Sequence, residues 1–184
     1  MIGVLLAGGA GRRIGGGKPV RLLTGRPLAS YPAAALAQVC GRVAIVAKPG
    51  SELPELSGVE RWDDEPLEPR HPLTGIVHAL ERAGGVAVLV CAADMPFVTP
   101  EALHALASAG GDAVAVADGV IQPVLAAYTP AALPTLRAAE PDEPLTRTVE
   151  RLEPVHVTLP AAVARSLDTP EELAAAEAEL LGTQ

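Results

Sequence analysis

The chain has 184 residues, 49% of them hydrophobic, with 22 acidic against 14 basic side chains and a formal charge of −8. That length and apolar content suit a single domain over residues 1–184 with a sizeable core, and the acidic balance argues against a nucleic-acid surface. A phosphate-bearing ligand would have to be met by local cations, since the global field repels it.

Residues 2–6 form an apolar run, IGVLL, cut off abruptly by Gly8 and Gly9. This reads as a short buried strand entering a loop. The loop holds Gly8, Gly9, Gly11, Gly15, Gly16 and Gly17 together with Arg12, Arg13 and Lys18. Glycines let the backbone approach a ligand closely, and exposed N–H groups form a concave anion site. With three cations beside it, the loop is built for phosphates. A Walker A loop is excluded because Pro19 follows Lys18 and Arg12 stands where the first glycine should be. The dinucleotide fingerprint fails as well, because Ile14 occupies the third glycine position.

Further along, Leu28 to Val39 has helical period, Val43 to Ala47 reads as a strand, and Val59 to Trp62 as a short strand ending at Asp63-Asp64. A proline-rich loop leads to a helix over Gly75 to Ala83. Val86 to Cys91 is apolar on both faces, as in a covered parallel strand. Pro100 to Ala107 is a helix with Thr99 as N-cap. Ala113 to Ala117 and Pro123 to Tyr128 read as strands around an Asp118-Gly119 hairpin turn. Residues 144 to 152 and 170 to 181 read as helices, the second opening on Thr169, Pro170 and two glutamates. Alternating strands and helices predict an α/β three-layer domain with a mostly parallel, partly antiparallel sheet.

Ligands in such sheets bind beyond the carboxyl ends of the strands. That rule gathers the glycine loop, Asp63-Asp64 and Ala93-Asp94-Met95-Pro96 on one edge. Asp94 has two readings: a turn or N-cap residue, or a Mg²⁺ ligand, since Mg²⁺ is commonly held by one or two carboxylates plus substrate phosphates. Asp64, with Asp63 beside it, is the second acid on this edge, and by itself reads as a solvated loop acid. His78, His104 and His156 are scattered and suggest neither a dyad nor a zinc site. Cys40 and Cys91 have no metal or redox spacing, which fits a reduced cytoplasmic setting. No basic, apolar leader opens the chain, and the longest apolar run, Val86 to Ala93, is far below the roughly 18 residues of a membrane span.

The string LAGGAGRRIGGGK (Leu6 to Lys18) resembles the L-A-G-G-x-x-x-R-M-G-x-x-K signature of small nucleotidyltransferases, above all the molybdenum-cofactor guanylyltransferases, with Ile14 in place of Met. CAADMPF is similar to that family's C-D-x-P segment, DEPLEPRHPLTG to its D…G-P-L-A-G segment with His71 in place of Gly, and QPVLAAY to its Q-P-x-x-A-L-Y strand. SLDTPEEL resembles its F-x-N-x-N-T-P-E-D-L end, with Ala164, Ser166 and Asp168 at the aromatic and two Asn positions. The resemblance implies a three-layer α/β/α, Rossmann-like nucleotidyltransferase fold with a mostly parallel mixed sheet. It implies transfer of GMP from GTP to the phosphate of molybdopterin or molybdenum cofactor, with Mg²⁺ as cofactor. Lys18, Arg12 and Asp94 would be the catalytic residues, and Asp94 the metal ligand. Leu6, Ala7, Gly8, Gly9, Lys18, Asp64 and Asp94 would contact the nucleotide. Ala164, Ser166 and Asp168 would lie toward the pterin. Partners would be the two substrates, with room for transient contact with proteins that deliver the cofactor, and neither nucleic acid nor membrane. Three alternatives stay open: a cytidylyltransferase making the cytosine form of the same cofactor, a sugar-phosphate nucleotidyltransferase, and a nucleotide-binding regulator without turnover.

Overall fold

A computed structural model of the protein describes residues 1–8, 18–140 and 143–182, with Lys18 by its backbone alone. The strands in chain order are β1 (Ile2–Leu6), β2 (Leu22–Leu23), β3 (Arg26–Pro27), β4 (Val43–Val46), β5 (Val59–Trp62), β6 (Val88–Ala92), β7 (Ala113–Ala117), β8 (Val120–Tyr128) and β9 (Val155–Thr158). The helices are α1 (Ser30–Val39), α2 (Pro72–Arg82), α3 (Pro100–Ala107), α4 (Leu133–Arg137), α5 (Leu145–Glu150) and α6 (Pro170–Gly182).

One seven-stranded sheet, ordered β5-β4-β1-β6-β8-β7-β9, runs through the molecule. Strands β5, β4, β1 and β6 are mutually parallel, β8 is antiparallel to both β6 and β7, and β9 is parallel to β7. The sheet is therefore mixed and mostly parallel, as its pattern predicts. The antiparallel part arises where expected. Asp118 and Gly119 both have positive φ, 50° and 75°, the backbone that a two-residue primed turn requires. Sequence pattern misses β9, α4 and the β2–β3 ribbon, whose turn at Thr24-Gly25 uses the same geometry.

The central strands are apolar throughout because both faces are covered. Successive side chains of a strand point to opposite faces. On one face, Leu5, Ile45, Leu89 and Leu125 pack with Leu36 of α1 and with Leu103 and Leu106 of α3. On the other, Val4, Val46, Val90 and Ala126 pack with Ile76 and Leu80 of α2, Leu136 of α4 and Val149 of α5. Each fully buried Leu or Ile contributes about 1.5–3 kcal/mol over its exposed state. A third cluster, Leu23, Leu28, Leu167 and Ala176, seats α6 against the β2–β3 ribbon.

This topology opens the site. The chain leaves β1, crosses one face through α1 and returns as β4. It later crosses the other face through α2 and returns as β6. The two neighbours of β1 are thus reached over opposite faces, and a crevice forms beyond the carboxyl ends of β1 and β6, the place where such sheets bind ligands.

Candidate active site

A cavity of about 300 Å³ occupies that crevice. Three strand ends build its floor. Leu6, Ala7 and Gly8 leave β1, Ala92 to Met95 leave β6, and Glu65 follows β5. Gln122 and Val124 of β8 form one wall, and Ala164 and Ser166 line it from the C-terminal segment. Arg70, His71 and Pro72, at the start of α2, stand at the other side.

The floor is tied down by hydrogen bonds that continue the sheet beyond the strands. The Ala7 N–H donates to the Val46 carbonyl at 2.8 Å, and the Ala93 N–H to the Leu6 carbonyl at 3.0 Å. The Glu65 N–H donates to the Ala47 carbonyl at 3.1 Å. Leu167 N–H donates to the Asp94 carbonyl at 2.9 Å, which brings Ser166 beside the Asp94 turn. Side chains on this floor are held by backbone that cannot easily shift.

Of the residues singled out from sequence, Leu6, Ala7, Gly8 and Asp94 meet in this cavity. Gly9 and Arg12, and the side chain of Lys18, lie outside the described residues. Asp64 is not among the lining residues. Its carboxylate accepts from Arg82 at 2.8 Å and pairs with His78 Nε2 at 3.0 Å, both on α2, and its side chain is 55% exposed. The hydrogen bond from His78 holds the Asp64 carboxyl below the usual carboxylate range, with Arg82 adding to it. The reason lies in strand alternation. Trp62 faces α2, with the Arg82 guanidinium 5.6 Å from its ring, and two residues later Asp64 faces the same way.

Glu65 takes the inward position instead. It is 3% exposed, and Lys48, the other of the chain's two lysines, is 7% exposed beside it. The Lys48 ammonium donates to Glu65 Oε1 at 2.9 Å and also to the Pro66 carbonyl. Sequence reasoning passed over this pair. The signal was present in a lysine directly following a buried strand, at a sheet edge already assigned to ligand binding.

The segments that resemble family motifs have separable roles. In SLDTPEEL, Glu172 accepts from the N–H groups of Asp168 and Thr169 at 2.6 and 2.9 Å, and its own N–H donates to Thr169 Oγ1 at 3.1 Å. That is a capping box opening α6. Asp168 also accepts from the Ser166 hydroxyl at 2.9 Å. In QPVLAAY, the Tyr128 hydroxyl donates to the Pro123 carbonyl at 2.7 Å, and Gln122 reaches the cavity. His71 is the N-cap of α2, its Nδ1 accepting from the Leu73 N–H at 3.2 Å. Its φ of −135° is ordinary extended backbone, so the position does not demand glycine.

Among the described residues, no group of three or more His, Cys, Asp or Glu gathers as a metal cage. Asp94 on the cavity floor fits an ion that takes one carboxylate and completes its shell with phosphate oxygens and water, as Mg²⁺ does. Cys91, wholly buried under the floor, has its thiol pushed up by desolvation and by the nearby Asp94, which makes it a packing residue. Among the described residues no helix is long and apolar enough to cross a membrane.

The chain is similar to known proteins in sequence and in fold. A probable molybdenum cofactor guanylyltransferase of Bacillus licheniformis is 37% identical over 136 residues, which is 69% of this chain and 67% of that protein. A molybdenum cofactor guanylyltransferase of Histophilus somni is 36% identical over 107 residues, 58% of this chain and 55% of that protein, so the chain spans about half of that relative's length. Among solved structures, the molybdopterin-guanine dinucleotide biosynthesis protein A of Archaeoglobus fulgidus superposes with a TM-score of 0.74 at 24% identity, over the whole of both chains. The 2-C-methyl-D-erythritol 4-phosphate cytidylyltransferase of Thermus thermophilus does so with 0.69 at 22%, over 97% of this chain and 98% of that one. These two show the shared fold. The profile of the MobA-like NTP transferase domain matches residues 3–159, from the strand that carries the glycine loop through β9, and with that span the chain belongs to the MobA-like NTP transferase family.

Proposed function

We propose that this chain transfers GMP from GTP to the phosphate of molybdopterin or molybdenum cofactor, releasing pyrophosphate, in the cytoplasm. The observation that carries the reading is the meeting of the Leu6–Gly8 loop entrance with Asp94 on one cavity floor. Phosphoryl transfer needs a nucleotide loop facing a metal-binding acid, and the shared lining of Leu6, Ala7, Gly8 and Asp94 supports that reading. The names of the Bacillus and Histophilus relatives supply the choice of guanine and of acceptor.

The acceptor phosphate is already a nucleophile at neutral pH, so the site needs no dedicated general base. The chain's work is positioning and charge stabilisation. Leu6, Ala7, Gly8 and Gly9 bring backbone groups to the nucleotide. Arg12 and Lys18 hold the triphosphate, and Lys18 takes up charge growing on the leaving pyrophosphate. Asp94 would hold Mg²⁺, which when bound would supply charge neutralisation for the phosphates. Ser166 and Gln122, on the opposite wall, face the acceptor. Asp64 acts from outside the cavity, by bracing the β5 end against α2.

The test is pyrophosphate release with molybdopterin and Mg²⁺, comparing GTP, CTP and ATP. Release with GTP at least tenfold faster than with CTP supports the reading. Faster release with CTP would replace it by cytidylyl transfer, and none with any nucleotide would refute transfer to this acceptor.

A further inference from the structure

We propose that Glu65, clamped by Lys48, reads the base: its Oε2 accepts from the N1–H and 2-amino donors of guanine in the cavity.

Glu65 is nine-tenths buried, and only one of its two oxygens is used by the fold. Oε1 is taken by Lys48, which the Pro66 carbonyl holds in turn. The Glu65 backbone is fixed by its hydrogen bond to Ala47. Oε2 accepts no hydrogen bond from any described residue. It points between the Cα faces of two glycines that also line the cavity. A Cβ on Gly8 would overlap it, and a Cβ on Gly75 would stand 3.6 Å from it while pressing to 3.0 Å on Leu6. A carboxylate oxygen that borders a cavity can exchange water for a ligand's donor. Clamped by an ammonium and bared by two glycines, this one is set to meet a ligand.

The chemistry of that ligand follows. A carboxylate repels phosphate and accepts from N–H or O–H. Guanine offers two adjacent N–H donors on one edge. Adenine and cytosine each offer an amine beside a ring nitrogen lone pair, which a carboxylate repels. Among the described residues that line the cavity there is no Phe, Tyr or Trp to stack on a base. Discrimination then falls to charge-assisted hydrogen bonds, and a site built on them rejects a base lacking the donors by a large factor.

This inference rests on the guanylyl-transfer reading, and one experiment separates the two. Binding of GTP, ITP, XTP and CTP to the full chain is measured by calorimetry in Mg²⁺, for wild type, Glu65→Gln and Lys48→Met/Glu65→Gln, with thermal melts as the folding control. ITP lacks the 2-amine, and XTP carries a carbonyl there. Wild type is expected to bind GTP at least tenfold tighter than ITP and XTP. Glu65→Gln is expected to lose at least tenfold for GTP and to shift the XTP-to-GTP ratio upward by at least tenfold, because the Gln amide can donate to the new carbonyl. The double variant, with both charges gone, is expected to lose the GTP-over-ITP preference. Equal wild-type affinity for GTP and ITP would overturn the proposal without any variant. So would a uniform loss across all four nucleotides in Glu65→Gln, which would mark a ribose contact or a structural role. Wild type that fails to prefer GTP over CTP would instead refute guanine as the base.

Discussion

The Lys48–Glu65 pair allows a quantitative test of how the floor is held. Lys48→Met keeps most of the apolar stem and removes the ammonium. It leaves the Glu65 carboxylate 3% exposed with no counter-charge, and it deletes the donation to the Pro66 carbonyl. Removing one partner of a buried ion pair typically costs about 3–5 kcal/mol. Glu65 borders a cavity that water can enter, so the lower end, about 3 kcal/mol, is the expected value. For a chain of this size each kcal/mol moves Tm by about 2–4 °C, so Lys48→Met should melt about 6–12 °C below wild type. The buried charge, not the lost contact, is the source of that cost. Adding Glu65→Gln should therefore recover most of it and bring the double variant to within about 1 kcal/mol of wild type. The double-mutant cycle, by urea denaturation with the single Glu65→Gln variant included, should give a coupling of at least about 2 kcal/mol. A Lys48→Met variant within about 1 kcal/mol of wild type, or strictly additive single effects, would refute the reasoning and make the pair a solvated contact.

Three further outcomes follow from the site. Asp94→Ala should cut turnover at saturating Mg²⁺ by far more than tenfold with an unchanged melting curve. A loss below about 1.4 kcal/mol, less than tenfold, would remove Asp94 from the metal role. Lys18→Ala should lower kcat more than it raises KM, because charge on the leaving pyrophosphate grows toward the transition state. A raised KM with unchanged kcat would reduce Lys18 to ground-state binding. Thr169→Ala should destabilise by about 1 kcal/mol through loss of the α6 cap, read as a fall of a few degrees in Tm, and an unchanged Tm would show that α6 is held by its apolar face alone.

Much of the architecture was legible where local chemistry and tertiary burial agree. β1, β4 and β6 are apolar because both faces are covered, and no other element type fits short runs so bounded. The Asp118-Gly119 turn and the caps at Thr99 and Thr169 announce themselves through side-chain chemistry. β9, VHVT, did not, because at the sheet edge it is largely exposed and its apolar face is only two residues, Val155 and Val157. The two-residue strands β2 and β3 are too short for any period to appear. At the site, spacing from the strand carried Asp94 to the cavity. The acidic run Asp63-Asp64-Glu65 was different. Which acid points inward depends on the phase of β5, and Trp62 sets it by packing on α2. That phase is a tertiary fact, and it turned Asp64 outward and Glu65 in.

The mixed sheet also bears on the order in which the molecule assembles. The β7–β8 hairpin needs only a two-residue turn to close, an event on the scale of about 1–10 μs. β1 has no such local partner, for Gly3 pairs with Val43 and Leu89, some 40 and 86 residues along the chain. Loop-closure entropy must be met before those pairings return anything. The hairpin can thus exist while β1 still lacks both neighbours, offering β8 as an edge for β6 to join. The cavity, whose floor needs the ends of β1, β5 and β6 in register, is then among the last features to form. Changes at Asp118-Gly119 should slow folding, whereas changes on the cavity floor should chiefly hasten unfolding.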